Sequence, residues 1–159
     1  LLSEVDFISC RRTMFEVQKS TPLELGLGWM VHLDKPFFVG QQALREEQAR
    51  GPAWNAVGLE IDVLALDALY AEFGMPLQLP WEAWGAAVPV YVDGQQIGKA
   101  TSGTWSPTLK KYVALARVKP QHATLGGTLD IEMTVEAERR TVPAKVVKTP
   151  FFDPARKRS

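Results

Sequence analysis

Few residues of this chain have types and spacings suited to chemistry. Glu60 and Asp62 lie two apart in an alternating run, so they share one face of a strand. Paired carboxylates can act as general acid and base, but two on a strand face with no basic or nucleophilic residue beside them read as a solvated edge. Lys110-Lys111 with Trp105 and Tyr112 is a basic-aromatic group of the kind that holds single-stranded nucleic acid on small barrels. The formal net charge is 0, which supplies no basic field for a polyanion, so a solvated strand end is the simpler account. Gly94, Gly98 and Gly103 form no phosphate loop, because no helical pattern follows them. Cys10 is the only cysteine, and His32 and His122 are the only histidines. No spacing among them makes a Cys–His pair or a metal set. Cys10 reads as a small buried hydrophobe, and a single cysteine, which cannot form an internal disulfide, fits a reducing, cytoplasmic setting.

The elements that would have to position these residues are mostly strands, and one stretch organises them. Ile97 to Thr101 follows the turn signal Asp93-Gly94 and reads as a strand. Thr101 to Pro107 (TSGTWSP) reads as a rigid loop whose hydroxyls bond its own backbone. Tyr112 to Val118 is the returning strand. Further strands are expected at Asn55–Asp62, Val88–Val92, Leu129–Val135 and Thr141–Val147, with a charged turn over Glu136–Arg140. Pro143 places the last strand at an edge or a bulge. Between the first two strands lies an excursion, Val63 to Trp84. Leu66, Leu69, Tyr70 and Phe73 are spaced for one helix face there, and Gly74 closes it. Trp81 and Trp84 are expected to cover a core or an interface.

Upstream, Thr21-Pro22 with Glu24 is a helix start that Gly26 and Gly28 keep short, and Trp29–Leu33 reads as a strand. Gln41–Arg50 is a helix with few apolar positions, Ala43 and Leu44, and with Glu46, Glu47 and Arg50 facing water, ended by Gly51-Pro52. The chain's 159 residues suffice for one domain with a core, or a small domain plus an appendage. Its 46% hydrophobic and 23% charged residues are ordinary for a globular protein. No apolar run approaches the roughly 20 residues of a membrane span, and Leu1-Leu2-Ser3-Glu4 has no basic n-region. The chain opens in mid-pattern and reads as a piece of a longer protein. The fold class expected is α+β: a small mixed N-terminal segment over 1–51, then an antiparallel β-barrel with a helical insertion over 52–159.

Two blocks carry a family resemblance. One is Ile97-Gly98, Thr101-Ser102-Gly103, Ser106-Pro107 and Leu109-Lys110-Lys111. The other runs from Thr21-Pro22-Leu23-Glu24-Leu25-Gly26-Leu27-Gly28-Trp29 through Phe38-Val39-Gly40 to Ala43-Leu44. In order and spacing they resemble the C-terminal part of the glycine-cleavage aminomethyltransferases, the T-protein family. The resemblance implies transfer of a one-carbon unit to tetrahydrofolate, with folate as cofactor and a lipoyl carrier protein as partner. It also implies that residues 1–51 are the end of the folate-binding region and that no catalytic residue lies in this chain, since the family's catalytic Asp and pterin-holding Glu fall upstream. Two folate contacts carry over. The family's basic residue six positions after the Trp falls on Lys35, a lysine where the family usually has arginine. A second falls on Arg156, past Lys148-Thr149-Pro150-Phe151. Lys35-Pro36-Phe37-Phe38-Val39-Gly40-Gln41-Gln42 lacks the Cys and Glu of the related iron-sulfur repair proteins, which argues against that branch. The alternative reading is a non-catalytic barrel that binds a partner protein or nucleic acid.

Overall fold

The computed structural model describes residues 20–154. Six strands, β1 (Asn55–Ile61), β2 (Val88–Val92), β3 (Gln95–Ser106), β4 (Lys111–Val118), β5 (Thr128–Val135) and β6 (Glu138–Val147), carry most of the structure. They close into an antiparallel barrel in the order β1-β4-β3-β2-β5-β6, with β6 returning to pair with β1. With the two helices described below, this is the α+β barrel expected. Alternation fills the interior: Leu59, Ile61, Val90, Ile97, Val118, Ile131, Val142 and Val146 are all buried there. Closure leaves no strand at an edge.

The hairpin between β2 and β3 turns at Asp93 (φ 50°) and Gly94 (φ 74°), the left-handed pair that a two-residue turn needs. A second tight turn at Glu136 (φ 49°) and Ala137 (φ 63°) joins β5 to β6. The charged turn is thus shorter than its composition suggests, because Glu138 to Arg140 already pair with β5.

Four further expectations are corrected. The TSGTWSP run is mainly strand: β3 continues to Ser106, and the turn occupies residues 107–110. Only Ser106 bonds that turn, accepting from the Leu109 amide at 3.3 Å. Pro143 lies on neither an edge strand nor a bulge. Its carbonyl accepts from the Asp62 amide at 2.9 Å, just past the last β1–β6 pair, Ile61 with Ala144. The side that lacks a donor therefore points beyond the end of β1, where no ladder bond is lost.

Trp29–Leu33 is not a strand. A 3-10 turn over Gly28–Met30 leads into an irregular segment. The carbonyls of that segment are taken by side chains of helix α1 (Gln41–Arg50). Gln41 Nε2 donates to Leu33 at 3.1 Å and to Lys35 at 2.9 Å, and Arg45 donates to Leu33 at 2.7 Å. Backbone groups satisfied this way need no partner strand. On α1, Glu47 is buried and accepts from the Thr21 hydroxyl at 2.6 Å, contrary to its expected place facing water.

Helix α2 (Val63–Glu72) follows β1 at once. Asp62 caps it, Oδ1 accepting from the Leu64 and Ala65 amides at 2.9 and 3.1 Å, and Leu66 and Leu69 enter the core. Antiparallel topology puts the end of β1, the start of β2, the end of β3 and the start of β4 at the same end of the barrel, so α2 and the segment that follows it cover that end.

Candidate functional site

The carboxylates singled out in the sequence serve structure. Glu60 pairs with Lys111 at 2.6 Å, and Asp62 is the cap of α2. Lys35 has an exposed side chain with no partner among the described residues, on the irregular segment ahead of α1. Arg156 and Cys10 lie outside the described residues, so Lys35 and Arg156 are not brought together here. No group of three or more His, Cys, Asp or Glu able to hold a metal occurs among the described residues. No helix among them is long and apolar enough to cross a membrane.

Two arrangements escape a reading of the sequence. The first is a buried polar joint. Thr21 and Glu24 form a reciprocal capping box: the Glu24 amide donates to Thr21 Oγ1 at 3.1 Å, and the Thr21 amide donates to Glu24 Oε2 at 3.3 Å. The same Oε2 accepts from Arg117 Nη2 of β4 at 3.3 Å, while Arg117 Nη1 donates to the Ser20 hydroxyl. Arg117 is buried, and its Nε finds no acceptor among the described residues. The joint fastens the turn ahead of α1 to the outer face of the barrel. An arginine within the otherwise apolar run ALARV was the available signal.

The second is a cleft of about 620 Å³ at the α2 end of the barrel. Tyr70 of α2, Trp81 and Trp84 of the irregular segment, Tyr112 of β4, Met133 of β5 and Arg139 of β6 face it. The Trp81–Trp84 segment has no regular structure, yet β3 pins both ends. The Pro80 carbonyl accepts from the Trp105 amide at 3.0 Å and from Thr104 Oγ1 at 3.3 Å. Trp84 exchanges two backbone bonds with Gly103, at 3.0 and 3.3 Å. Its indole donates to the Tyr112 phenol at 2.8 Å. A Cβ on Gly103 would stand 2.4 Å from the Trp84 ring, so only glycine lets the ring lie against β3. Burial, opposed in part by the bond from Trp84, raises the Tyr112 phenol above its ordinary value. Trp84 thus covers the core as expected, whereas Trp81 does not: it is 84% exposed. Nearby, the Tyr91 hydroxyl donates to Glu132 at 3.0 Å, which raises the Tyr91 phenol as well.

A closed six-stranded antiparallel barrel, with a capped helix after its first strand and a polar joint to an upstream turn, defines a small α+β barrel domain. Residues 78–153 match the family model of the glycine cleavage T-protein C-terminal barrel domain. Those residues carry the C-terminal barrel portion of the glycine cleavage T-protein family. Among curated relatives, an aminomethyltransferase of Parasynechococcus marenigrum is 39% identical over 135 residues, 84% of this chain and 31% of the relative. One of Halalkalibacterium halodurans is 37% identical over 132 residues, 83% of this chain and 30% of the relative. The chain therefore spans about a third of the length of the curated relatives it matches. The crystal structure of the glycine cleavage system aminomethyltransferase T from Bartonella henselae shares the fold. Its TM-score is 0.62 at 22% identity, over 85% of this chain and 33% of that one.

Proposed function

We propose that this chain works as the C-terminal part of a folate-dependent aminomethyltransferase that passes a one-carbon unit to tetrahydrofolate. The observation that carries the reading is 37–39% identity, over more than four fifths of the chain, to proteins named aminomethyltransferase. In this reading residues 1–51 belong to the folate-binding region and residues 52–159 are the barrel that backs it. The protein acts in the cytoplasm, and a lipoyl carrier protein presents the donor.

The residues present fit one part of the folate molecule. Lys35 offers an exposed ammonium with no competing partner among the described residues, suited to a carboxylate of the glutamate tail. Arg156 is proposed as a second cation for the same tail. The pterin ring is a different matter, because it needs several buried donors and acceptors with free capacity. The buried polar residues described are Glu24, Gln41, Glu47 and Arg117. Glu24, Gln41 and Glu47 are bonded within the chain, and the one orphan among the described residues, Arg117 Nε, belongs to a guanidinium already bonded to Ser20 and Glu24. The ring and the reacting carbon are therefore assigned to residues outside this barrel, and no catalytic residue is assigned here.

Calorimetric titration of tetrahydrofolate into the longer protein tests the reading. Binding that weakens by up to about fivefold on Lys35→Ala, with the thermal unfolding curve unchanged, is the expected result. An exposed cation on a tail carboxylate is worth up to about 1 kcal/mol. Micromolar binding by the 159-residue chain alone would place the ring site in the barrel and overturn the assignment. Absence of folate binding in the longer protein would leave the barrel as a binding module for a partner macromolecule.

A further inference from the structure

We propose that the cleft between α2, the Trp81–Trp84 segment and the β5–β6 hairpin binds a small planar aromatic carboxylate, stacked on Trp81 and held by Arg139. This inference is independent of the folate reading, since Lys35 lines no part of the cleft.

Three observations converge on it. First, the volume of about 620 Å³ lies within the range of small-molecule sites. Second, Trp81 is organised for binding and not for folding. It is 84% exposed, yet its segment is fixed by four backbone-directed bonds from β3 and by the Trp84–Tyr112 bond. An indole left in water on a pinned segment gives the fold almost nothing, but it offers a ligand a ring on backbone whose ordering cost is already met. Tyr70 and Met133 add apolar surface on the same cleft.

Third, Arg139 is the one cationic side chain among the residues that line the cleft. Glu132 is already engaged: Oε2 accepts from Tyr91 at 3.0 Å, and Oε1 faces Arg139 Nε at 3.8 Å. At that separation the two charges are paired without a hydrogen bond, and the two terminal nitrogens have no partner among the described residues. Arg139 is 77% exposed in its side chain. Two parallel N–H groups on a guanidinium are the geometry that grips a carboxylate. Glu132 neutralises part of the field, so the arginine acts here by direct bonding at close range and not by drawing anions from a distance.

The probes are 2-naphthoate, its neutral amide 2-naphthamide, and 2-naphthylmethylammonium, titrated into the 159-residue chain with chemical shifts of the tryptophan indole N–H groups as readout. The expected result is saturable binding of 2-naphthoate, with a Kd near or below about 1 mM for a ligand of this size. Shifts should concentrate on Trp81 and Trp84, with weaker binding of the amide and none of the ammonium. Trp81→Ala and Arg139→Gln each weaken it about fivefold or more. Both side chains project into solvent, so the variants keep the fold, and an unchanged spectrum for Trp105 confirms that. No saturable binding of 2-naphthoate by the parent chain would overturn the proposal. So would equal binding of all three probes, or indifference to both substitutions.

Discussion

Glu24 and Arg117 stand 93 residues apart in the chain and 3.3 Å apart in the fold, where they meet with side chains only 11% and 9% exposed. The carboxylate is shared: Oε2 serves both the capping box of its own turn and the guanidinium of β4. One oxygen therefore ties the local geometry of the upstream turn to its attachment on the barrel.

Removing one partner of that pair should cost more than removing both. Glu24→Ala leaves a buried guanidinium uncompensated, and the expected loss is about 3 kcal/mol, read as a lower urea midpoint. A Glu24→Leu, Arg117→Met double variant deletes both charges and should lose less than the single substitution. A double variant that is weaker than Glu24→Ala would mean that the pair contributes net attraction beyond its desolvation cost.

Two glycines of β3 should differ in tolerance. A Cβ at Gly98 would meet the Arg117 carbonyl at 2.1 Å, whereas one at Gly103 meets the Trp84 ring at 2.4 Å. The first obstacle is backbone held in the β3–β4 ladder, and the second is a side chain that can swing out. Gly103→Ala is therefore expected to cost about 1–3 kcal/mol and to break the Trp84–Tyr112 bond, visible as a shifted indole N–H. Gly98→Ala should cost more, up to failure to fold. Equal midpoints for the two variants would contradict the packing described.

Tyr112 gives a pH signature. Its phenol is held above the ordinary value of 10.0, chiefly by burial. The folded state thus binds that proton more tightly than the unfolded chain does. The associated stability is complete below pH 10 and is lost as pH rises through the folded value. Ultraviolet titration should show tyrosinate absorbance appearing later than in the unfolded chain. Tyr112→Phe should flatten the fall in stability above pH 10 relative to the parent. A steeper fall in the variant would reverse the sign of the argument.

The cap of α2 should be separable from its core face. Asp62→Ala removes the acceptor for two amides and is expected to lower stability by about 1 kcal/mol. Leu66→Ala empties a fully packed position and should cost about 2–5 kcal/mol. Thermal unfolding of the two variants checks the order.

The sequence was most informative where a residue's environment is set by its neighbours in the chain. Alternation located the strands, Asp93-Gly94 located a hairpin, and the spacing of Leu66 and Leu69 located the inner face of α2. It was least informative where the environment arrives from far away. Glu47 looks like a solvated helix position until Thr21 is folded onto it, and Trp29–Leu33 has strand composition but no free ladder to join. Thr104 and Gly103 look like loop residues because their partners, Pro80 and Trp84, come from a segment with no regular pattern. Nothing local marked Trp81 and Arg139 as lining one cleft. Their common place there depends on where the excursion returns to the barrel, which is a property of the register and not of either residue's surroundings in sequence.

Barrel closure also bears on how the chain reaches this state. The last ladder joins β1 to β6, pairing Gly58 with Val147, so the ring is sealed across about 90 residues of intervening chain. Such a contact forms late, because the entropy of so long a loop must be overcome before the paired strands return anything. During synthesis, β1 emerges before both of its neighbours, and after β4 has joined it one side stays unpaired until Val147 has cleared the ribosome. That exposed side of β1 is the surface a chaperone would be expected to cover.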